Sequence, residues 1–359
     1  MKNKIALLGW TTIEPKHRYQ LEAIIRLGYD LDILTNDSFG NSQTVINSVS
    51  EQIFYLKLSK TTLTRCWQVF RRLFNERKKI VLCVVAPAGR FSLFYYVICR
   101  FLHFPIVAIE WGSVADISRL DSLTRFNMKV FYRKSALVWY KEPWMRLELL
   151  KFTKNKTFFL PNAVEEKPVI NLDYKQRDIT FIWANRLVVT RYPQWFVKGI
   201  GEIEKNNKAI KAVMLGFLDR TMCSKDIILA QEKIRMTAPN SLVCYSYRQP
   251  DEYFDRSRFF VLAADAIFGN NSLYESMLRG VVPIVSAAPD IELVIQNGRN
   301  GIVAEFSEAG IVQAMLEASK MSLDRWRKMS SEARKTAISK LGIKSWEERF
   351  KGLLQEVDK

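Results

Sequence analysis

The stretch from Leu262 to Glu305, LAADAIFGNNSLYESMLRGVVPIVSAAPDIELVIQNGRNGIVAE, gathers residues whose types and spacing suit chemistry. A short strand or turn opens it, and a polar loop of Gly269, Asn270, Asn271 and Ser272 runs into helical periodicity, a stop at Gly280 and a buried strand over Val281–Val285. Ser272 stands where an N-cap is expected, and Glu275, three residues on, completes a capping box. Two roles are open to Glu275. It closes its own helix, or it reaches forward to the hydroxyl groups of a ligand while N–H groups at the helix start face an anion.

A second acid, Glu110, closes an apolar run and leads into Gly112, Ser113 and Asp116. At the carboxyl end of a parallel strand it is either a catalytic or acceptor-binding group or a buried carboxylate held by local N–H groups. Asp30 and Asp32 form the one Asp-x-Asp pair, but they begin a strand, the wrong end for a ligand, and a structural role is expected. Of the two histidines, His17, after the first strand, reads as a surface residue, with contact to an acceptor as the alternative, and His103 as a core or helix-end residue. With no Cys or Asp companions they make no zinc site.

These residues need a frame to hold them. A chain of 359 residues with 48% hydrophobic and 25% charged content is expected to form two well-packed domains. Strand-like runs at Ile5–Trp10, Asp30–Asn36, Ile53–Leu58, Ile80–Ala86, Pro105–Trp111 and Ala136–Tyr140 alternate with helical segments. That spacing means parallel βα units. A strand over Lys156–Val164 and a polar linker over Glu165–Arg177 follow. A second alternating region then starts at Ile179–Ala184, Ile210–Gly216 and Ser241–Tyr245, and closes on helices over Leu323–Lys340 and Ser345–Val357.

Several classes are excluded or weakened. No G-x-G-x-x-G follows the first strand, which argues against a dinucleotide cofactor. Five widely spaced cysteines without C-x-x-C spacing read as reduced packing residues. MKNKIALLGW runs into a strand without the features of a secretory signal, so a cytoplasmic protein is expected. Phe91–Ile109 is interrupted by Arg100, His103 and Pro105, and reads as a buried helix and a strand, not a membrane span.

The net charge of +17 implies an anionic partner: nucleic acid, a phosphorylated ligand or an acidic membrane leaflet. Residues 57–79 carry the strongest surface signal. At about 100° per residue Leu63, Cys66, Trp67, Val69, Phe70, Leu73 and Phe74 share one arc, with Arg65, Arg71 and Arg72 opposite. The expectation is a packed apolar arc and an exposed basic side that, with Arg125, Lys129, Arg133 and Lys134, draws the domain to an anionic membrane surface. No nucleic-acid recognition module is visible, so no nucleic-acid partner is expected.

The order PNAV (161–164), IWANRLVVTR (182–191), a strand ending in Gly216, NNSLYESMLRGVVPIVS (271–286 with its preceding Asn270) and NGRNGIVAE (297–305) resembles the retaining GT-B glycosyltransferases that use nucleotide-sugar donors. The match covers residues 160–305; the N-terminal half is similar in architecture alone. The resemblance implies an α/β, GT-B architecture of two Rossmann-like domains facing across a cleft. Residues 1–165 would be the acceptor-binding domain, residues 166–342 the donor-binding domain, and a helix at 343–359 would pack back on the first, giving the cleft a hinge.

It also implies that Arg186 and Arg191, the latter where the family usually has Lys, grip the donor diphosphate, and that Glu275 binds its ribose. Charge neutralisation by two guanidinium groups would replace a metal, so a UDP- or GDP-sugar donor, no prosthetic group and no metal are expected. The family's other glutamate, separated from the second by seven residues, falls at Ile267 and is missing; Asp265 is the nearest acid. Asn270, Asn271 and Ser272 replace the family's glycine-rich approach to the donor. The family's histidine after the fifth strand is also lacking, with Glu110 and Trp111 in its neighbourhood. The implied reaction is sugar transfer with retention to a saccharide or lipid-linked saccharide, in envelope polysaccharide or glycolipid synthesis on the cytosolic side of a membrane. A nucleotide-sugar epimerase or hydrolase on the same fold and a basic nucleic-acid-binding protein are the alternatives.

Overall fold

The computed structural model describes every residue except 1–2, 11–12, 15–16, 37–41, 90, 113, 115–116, 167–173, 207–209, 218–223, 247, 265–266, 268 and 359. The chain divides into two units, Met1–Ala163 with Ile343–Lys359, and Val164–Gly342.

The first unit carries strands β1 (Lys4–Leu8), β2 (Asp30–Thr35), β3 (Ile53–Lys57), β4 (Ile80–Val85), β5 (Ile106–Glu110), β6 (Leu137–Tyr140) and β7 (Thr157–Phe159). Between them run helices α1 (Arg18–Arg26), α2 (Ser42–Asn47), α3 (Thr62–Asn75), α4 (Ser92–Phe101), α5 (Ser122–Lys134) and α6 (Trp144–Leu150). The second unit carries β8 (Ile179–Ala184), β9 (Ala212–Phe217), β10 (Leu242–Ser246), β11 (Ser257–Leu262), β12 (Val282–Ser286) and β13 (Ile302–Ala304). Its helices are α7 (Pro193–Lys205), α8 (Lys225–Thr237), α9 (Asp251–Asp255), α10 (Asn271–Leu278), α11 (Glu308–Ser319) and α12 (Leu323–Leu341). A last helix, α13 (Ile343–Asp358), belongs to the first unit.

Both sheets are parallel, in the orders β3-β2-β1-β4-β5-β6-β7 and β10-β9-β8-β11-β12-β13. Each is a doubly wound, Rossmann-like sheet whose strand order reverses once, beside β1 in the first unit and beside β8 in the second. Strands covered on both faces read as continuous apolar runs, which is why KIALL and ITFIWA carry almost no polar residue. Two strands escape the sequence reading, β13 and all of β11 but Leu262, where a short strand or turn is expected to begin. RFFVL in β11 is a short apolar run whose periodicity does not separate strand from helix.

In the first unit α1 and α13 cover one face. Trp346 and Phe350 of α13 stack on each other at 4.9 Å and meet Trp139 at 6.0 and 6.1 Å, and the Trp346 indole N–H donates to Pro161 O at 3.0 Å. The other face packs on α3, α4 and α5. Alternation along β2 turns Leu31 and Ile33 to the first face and Asp32 and Leu34 to the second. Asp32 is fully buried, so it must be compensated. Arg72 of α3 donates to it twice, at 2.6 and 2.9 Å, and Lys4 donates at 3.2 Å.

That demand overturns the expected orientation of α3. Arg65 and Arg72, placed by periodicity on the solvent side, turn inward: Arg65 is buried over the Phe91 ring, and Arg72 is bound to Asp32. Val69 and Leu73 alone of the apolar arc are fully buried, while Leu63, Trp67 and Phe74 are exposed. Helix α4 is corrected in the same way, because Phe94, Val97 and Phe101 face outward. His17 is another correction, being buried in contact with Trp10 and Trp111. His103 is a helix-end residue, left-handed at φ 60° after α4.

Candidate functional site

In a doubly wound sheet, ligands bind outside the carboxyl ends of the strands where the order reverses. In the second unit that point lies between β8 and β11, and the site builds from the loops that leave them. After β8 come Asn185, exposed Arg186, buried Leu187 and a 3-10 turn over Val189–Arg191. Tyr192 then takes a left-handed conformation at φ 41° and starts α7, with Pro193 at its first position. The strain is held by packing: the Tyr192 ring stacks on Trp195 at 4.2 Å and meets Phe306 edge-on at 5.4 Å. Arg191, half-buried, is thereby fixed one residue before a rigid helix start.

After β11 the chain turns at Ile267, whose carbonyl accepts the Asn270 N–H at 3.1 Å, and enters α10. Here the expected cap is corrected. Asn270, not Ser272, is the N-cap: its Oδ1 accepts the Leu273 N–H at 3.0 Å. Asn271 and Ser272 therefore occupy the first two helical positions, whose N–H groups have no acceptor within the helix. Glu275 lies one turn further in and is half-buried. It is too far along to form a capping box with this N-cap.

The two loops are joined, since Asn270 Nδ2 donates to Asn185 Oδ1. Asn185 Nδ2 is buried and has no partner among the described residues. Gly216, near the end of β9, completes the junction. Its φ is +112°, and a Cβ there would sit 1.8 Å from the Asn185 carbonyl oxygen, so no other residue fits. Ser286 at the end of β12 holds the loop after β11 from the far side, exchanging hydrogen bonds of 3.0 and 3.1 Å with Ala264 N and O.

The far end of α10 explains its direction. Buried Arg177 donates to the carbonyls of Arg279, Ser257 and Phe254, and burial pulls its pKa down to about 10. Arg334 donates to Leu278 O and Ser330 to Gly280 O. Cations thus sit on the negative pole of the helix, leaving the positive pole at the strand-order reversal. Arg177, at the end of the polar stretch expected to be a linker, is an anchor of the core.

The switch point of the first unit is equally tight. Gly9, at φ +73°, follows β1, and a Cβ on it would lie 2.9 Å from Ala86 O after β4. Along the same carboxyl edge Trp10, His17 and Trp111 meet edge-on at 4.9–5.2 Å. Buried Lys141, next after β6, places its ammonium 3.8 Å from the Trp111 ring centroid and donates to Asn162 at 2.8 Å and Gln20 at 3.1 Å.

Glu110 is 1% exposed. One carboxylate oxygen accepts N–H bonds from Gly112 at 2.6 Å and Val114 at 3.2 Å; the other accepts from the Tyr132 hydroxyl. Burial and the adjacent carboxylate push the Tyr132 phenol well above its ordinary pKa, so it remains a donor. Ser113, Asp116, Asp265 and Cys223 lie outside the described residues. Ile267, where the family's first glutamate would stand, is 1% exposed.

Among the sites named from sequence, the structure thus brings Asn270, Asn271 and Ser272 to the start of α10 and sets Arg186 and Arg191 on the loop joined to it. Glu110 belongs to the other unit. Sequence reasoning passed over Asn185, Lys141, Gln20 and Asn162. The first and second of these follow directly on buried strands, which was the available signal.

No protein-family model and no curated protein sequence matches the chain. Solved structures do. A sucrose-phosphate synthase from Thermosynechococcus elongatus superposes with a TM-score of 0.77 at 12% identity, covering 99% of each chain. A glycosyltransferase from Rickettsia africae gives 0.77 at 12% identity over 100% of this chain and 99% of its own. HepE from Anabaena, solved with UDP-glucose, gives 0.75 at 12% identity over 98% and 99%. The chain has the GT-B fold. Within that fold the second sheet, with its β8 and β11 loops, is the half whose sequence motifs pointed to a nucleotide-sugar site. Among the described residues no three His, Cys, Asp or Glu side chains group as metal ligands.

Proposed function

We propose that the protein is a retaining glycosyltransferase that moves a sugar from a nucleotide-sugar donor, a UDP- or GDP-sugar, to a saccharide or lipid-linked saccharide. The observation that carries this reading is the joined pair of loops at the second unit's switch point. One bears Arg186 and Arg191, and the other presents the positive end of α10 through the Asn185–Asn270 bond. Complexes of similar fold with UDP-glucose (HepE) and with UDP and GlcNAc (pneumococcal GtfA) support the donor class.

In this reading the helix start and both arginines hold the diphosphate, and Glu275 accepts hydrogen bonds from the ribose hydroxyls. Asn270, Asn271 and Ser272 contact the phosphate or the sugar. As the bond from the anomeric carbon to the diphosphate breaks, negative charge grows on the leaving oxygen, and the cations stabilise it without a metal. The acceptor hydroxyl attacks from the same face, its oxygen bonds to the anomeric carbon, and its proton passes to the leaving phosphate. No covalent sugar–protein intermediate forms.

On the acceptor side Glu110 is a positioning residue that fixes the loop after β5 beside the Trp10, His17, Trp111 and Lys141 cluster. The charge of +17 supports work at the anionic cytosolic face of a membrane, on envelope polysaccharide or glycolipid.

A thermal-shift panel of nucleotide sugars tests the donor site, because a ligand bound by the native state alone raises the melting temperature. A shift with one nucleotide family, abolished in Arg186→Ala with Arg191→Ala, is expected. No shift with any nucleotide sugar would refute the reading, and release of sugar without an acceptor would convert it to a hydrolase.

A further inference from the structure

Helix α3 has an apolar surface wider than its packing needs. Val69 and Leu73 fill the contact with the sheet, yet Leu63 (86% exposed), Trp67 (60%) and Phe74 (41%) stand in solvent at helical spacing, with Phe70 between them. The rings form a ladder: Trp67 stacks on Phe70 at 6.0 Å, Phe70 on Phe74 at 5.7 Å, and Phe70 meets Phe101 of α4 at 6.3 Å. Helix α4 adds Phe94, Val97 and Phe101, and α5, which packs on α4, adds Leu123 and Phe126. Exposed apolar residues elsewhere, such as Leu229 and Met236 on α8, carry no such ring ladder. A continuous outward aromatic surface marks a docking site, whereas scattered exposed residues do not.

Charge says what docks. Helices α3, α4 and α5 contain no acidic residue, and between Glu51 and Glu110 the only one is Glu76, which is paired with Lys4 and Lys79. Exposed cations edge the rings: Lys60, Arg71 and Lys78 around α3, Arg100 on α4, and Lys129 and Lys134 on α5. Two copies of such a face would repel each other. Apolar rings edged by lysine and arginine, on three helices that carry no acid past the Asp121 cap of α5, match the headgroup layer of an anionic bilayer, where aromatic side chains settle and cations meet lipid phosphates.

We propose that the outer face of α3, α4 and α5 docks the first unit onto an anionic lipid bilayer, inserting Leu63, Trp67, Phe74 and Phe101 among the headgroups. This goes with the membrane-surface reading above and makes it specific: the binding face is the aromatic one, edged by cations. It does not depend on the transfer chemistry.

The test is co-sedimentation of the full chain with phosphatidylcholine vesicles and with vesicles of phosphatidylcholine and phosphatidylglycerol, at low and high salt. The variants are Trp67→Gln with Phe101→Gln and, as a control at least as exposed, Leu229→Gln with Met236→Gln. Binding to the anionic vesicles, weakened by salt, lowered about tenfold or more by the α3–α4 pair and unchanged by the control pair, is expected. Absence of binding to either vesicle, or equal loss in both pairs, overturns the proposal. So does a dimer in velocity sedimentation that the α3–α4 pair dissolves, since a second copy would then cover the face. Nucleotide-sugar binding measured on the same samples separates the two readings, because neither result predicts the other.

Discussion

Asn270 does two jobs at once, and substitutions can separate them. It is 6% exposed, accepts the Leu273 N–H at 3.0 Å to cap α10, and donates to Asn185 across the switch point. Asn270→Ala removes both bonds. A lost cap costs about 1 kcal/mol and a lost buried hydrogen bond about another, so the second unit should lose about 2 kcal/mol. Asn270→Asp keeps the capping oxygen and adds negative charge to the positive helix end, which favours folding. An amide rotation lets Asn185 Nδ2, otherwise without a partner among the described residues, donate to the new carboxylate. Stability should therefore change by less than about 1 kcal/mol.

Binding should rank the variants the other way. A carboxylate roughly 6 Å from a donor phosphate, at an effective dielectric constant near 20, repels it by about 3 kcal/mol per charge, roughly a hundredfold in affinity. Calorimetric melting measures the first effect and isothermal titration with the donor found in the panel measures the second. If Asn270→Asp binds the donor within about threefold of the parent while remaining folded, no diphosphate sits at the start of α10 and the donor site is wrongly placed.

Three further outcomes follow from the same geometry. Gly216→Ala puts a Cβ 1.8 Å from Asn185 O at φ +112°, so the β8 loop must move; a loss of about 3 kcal/mol or more in urea unfolding is expected. Arg177→Met strands the carbonyls of Phe254, Ser257 and Arg279 and should lower the melting temperature by the equivalent of about 3 kcal/mol, with donor affinity falling as α10 loosens. Asp178 is held well below the usual carboxylate range by its hydrogen bonds from Arg256 at 2.8 Å and Lys211 at 2.7 Å. A depressed folded pKa gives stability above the unfolded value that is lost as pH falls through the folded one. The pair is half-exposed, so Asp178→Asn should cost only about 0.5–1 kcal/mol at neutral pH, and the gap to the parent should shrink below about pH 4.

Much of the fold is legible because buried parallel strands leave continuous apolar runs, and ITFIWA falls on β8 residue for residue. The missed strand β11 is also apolar, but it follows α9 with no turn residue to announce it. The orientation of α3 was not legible from periodicity, which fixes an apolar arc without saying which flank packs. The deciding residue lies 40 positions away in sequence: a buried Asp32 needs a cation, and Arg72 answers it. An acid inside a strand that otherwise reads LDILT was the available signal. At the site, the loop composition was legible and the cap was not, because NNS offers adjacent capping residues and the choice is made by the tertiary bond to Asn185.

The acid missing at position 267 can itself be tested. Ile267 is 1% exposed, and its carbonyl is engaged by the Asn270 N–H, so its side chain is part of the core that sets the turn into α10. A carboxylate there would have to be buried without a designed partner, at a cost of about 3 kcal/mol or more, or would protonate. Ile267→Glu should therefore lower the melting temperature and leave transfer no faster. If the variant instead keeps the parent's stability and transfers sugar faster, the side chain at 267 reaches the donor. The turn would then be displaced when the donor binds, and the contacts to the sugar assigned to Asn270, Asn271 and Ser272 would belong to that acid.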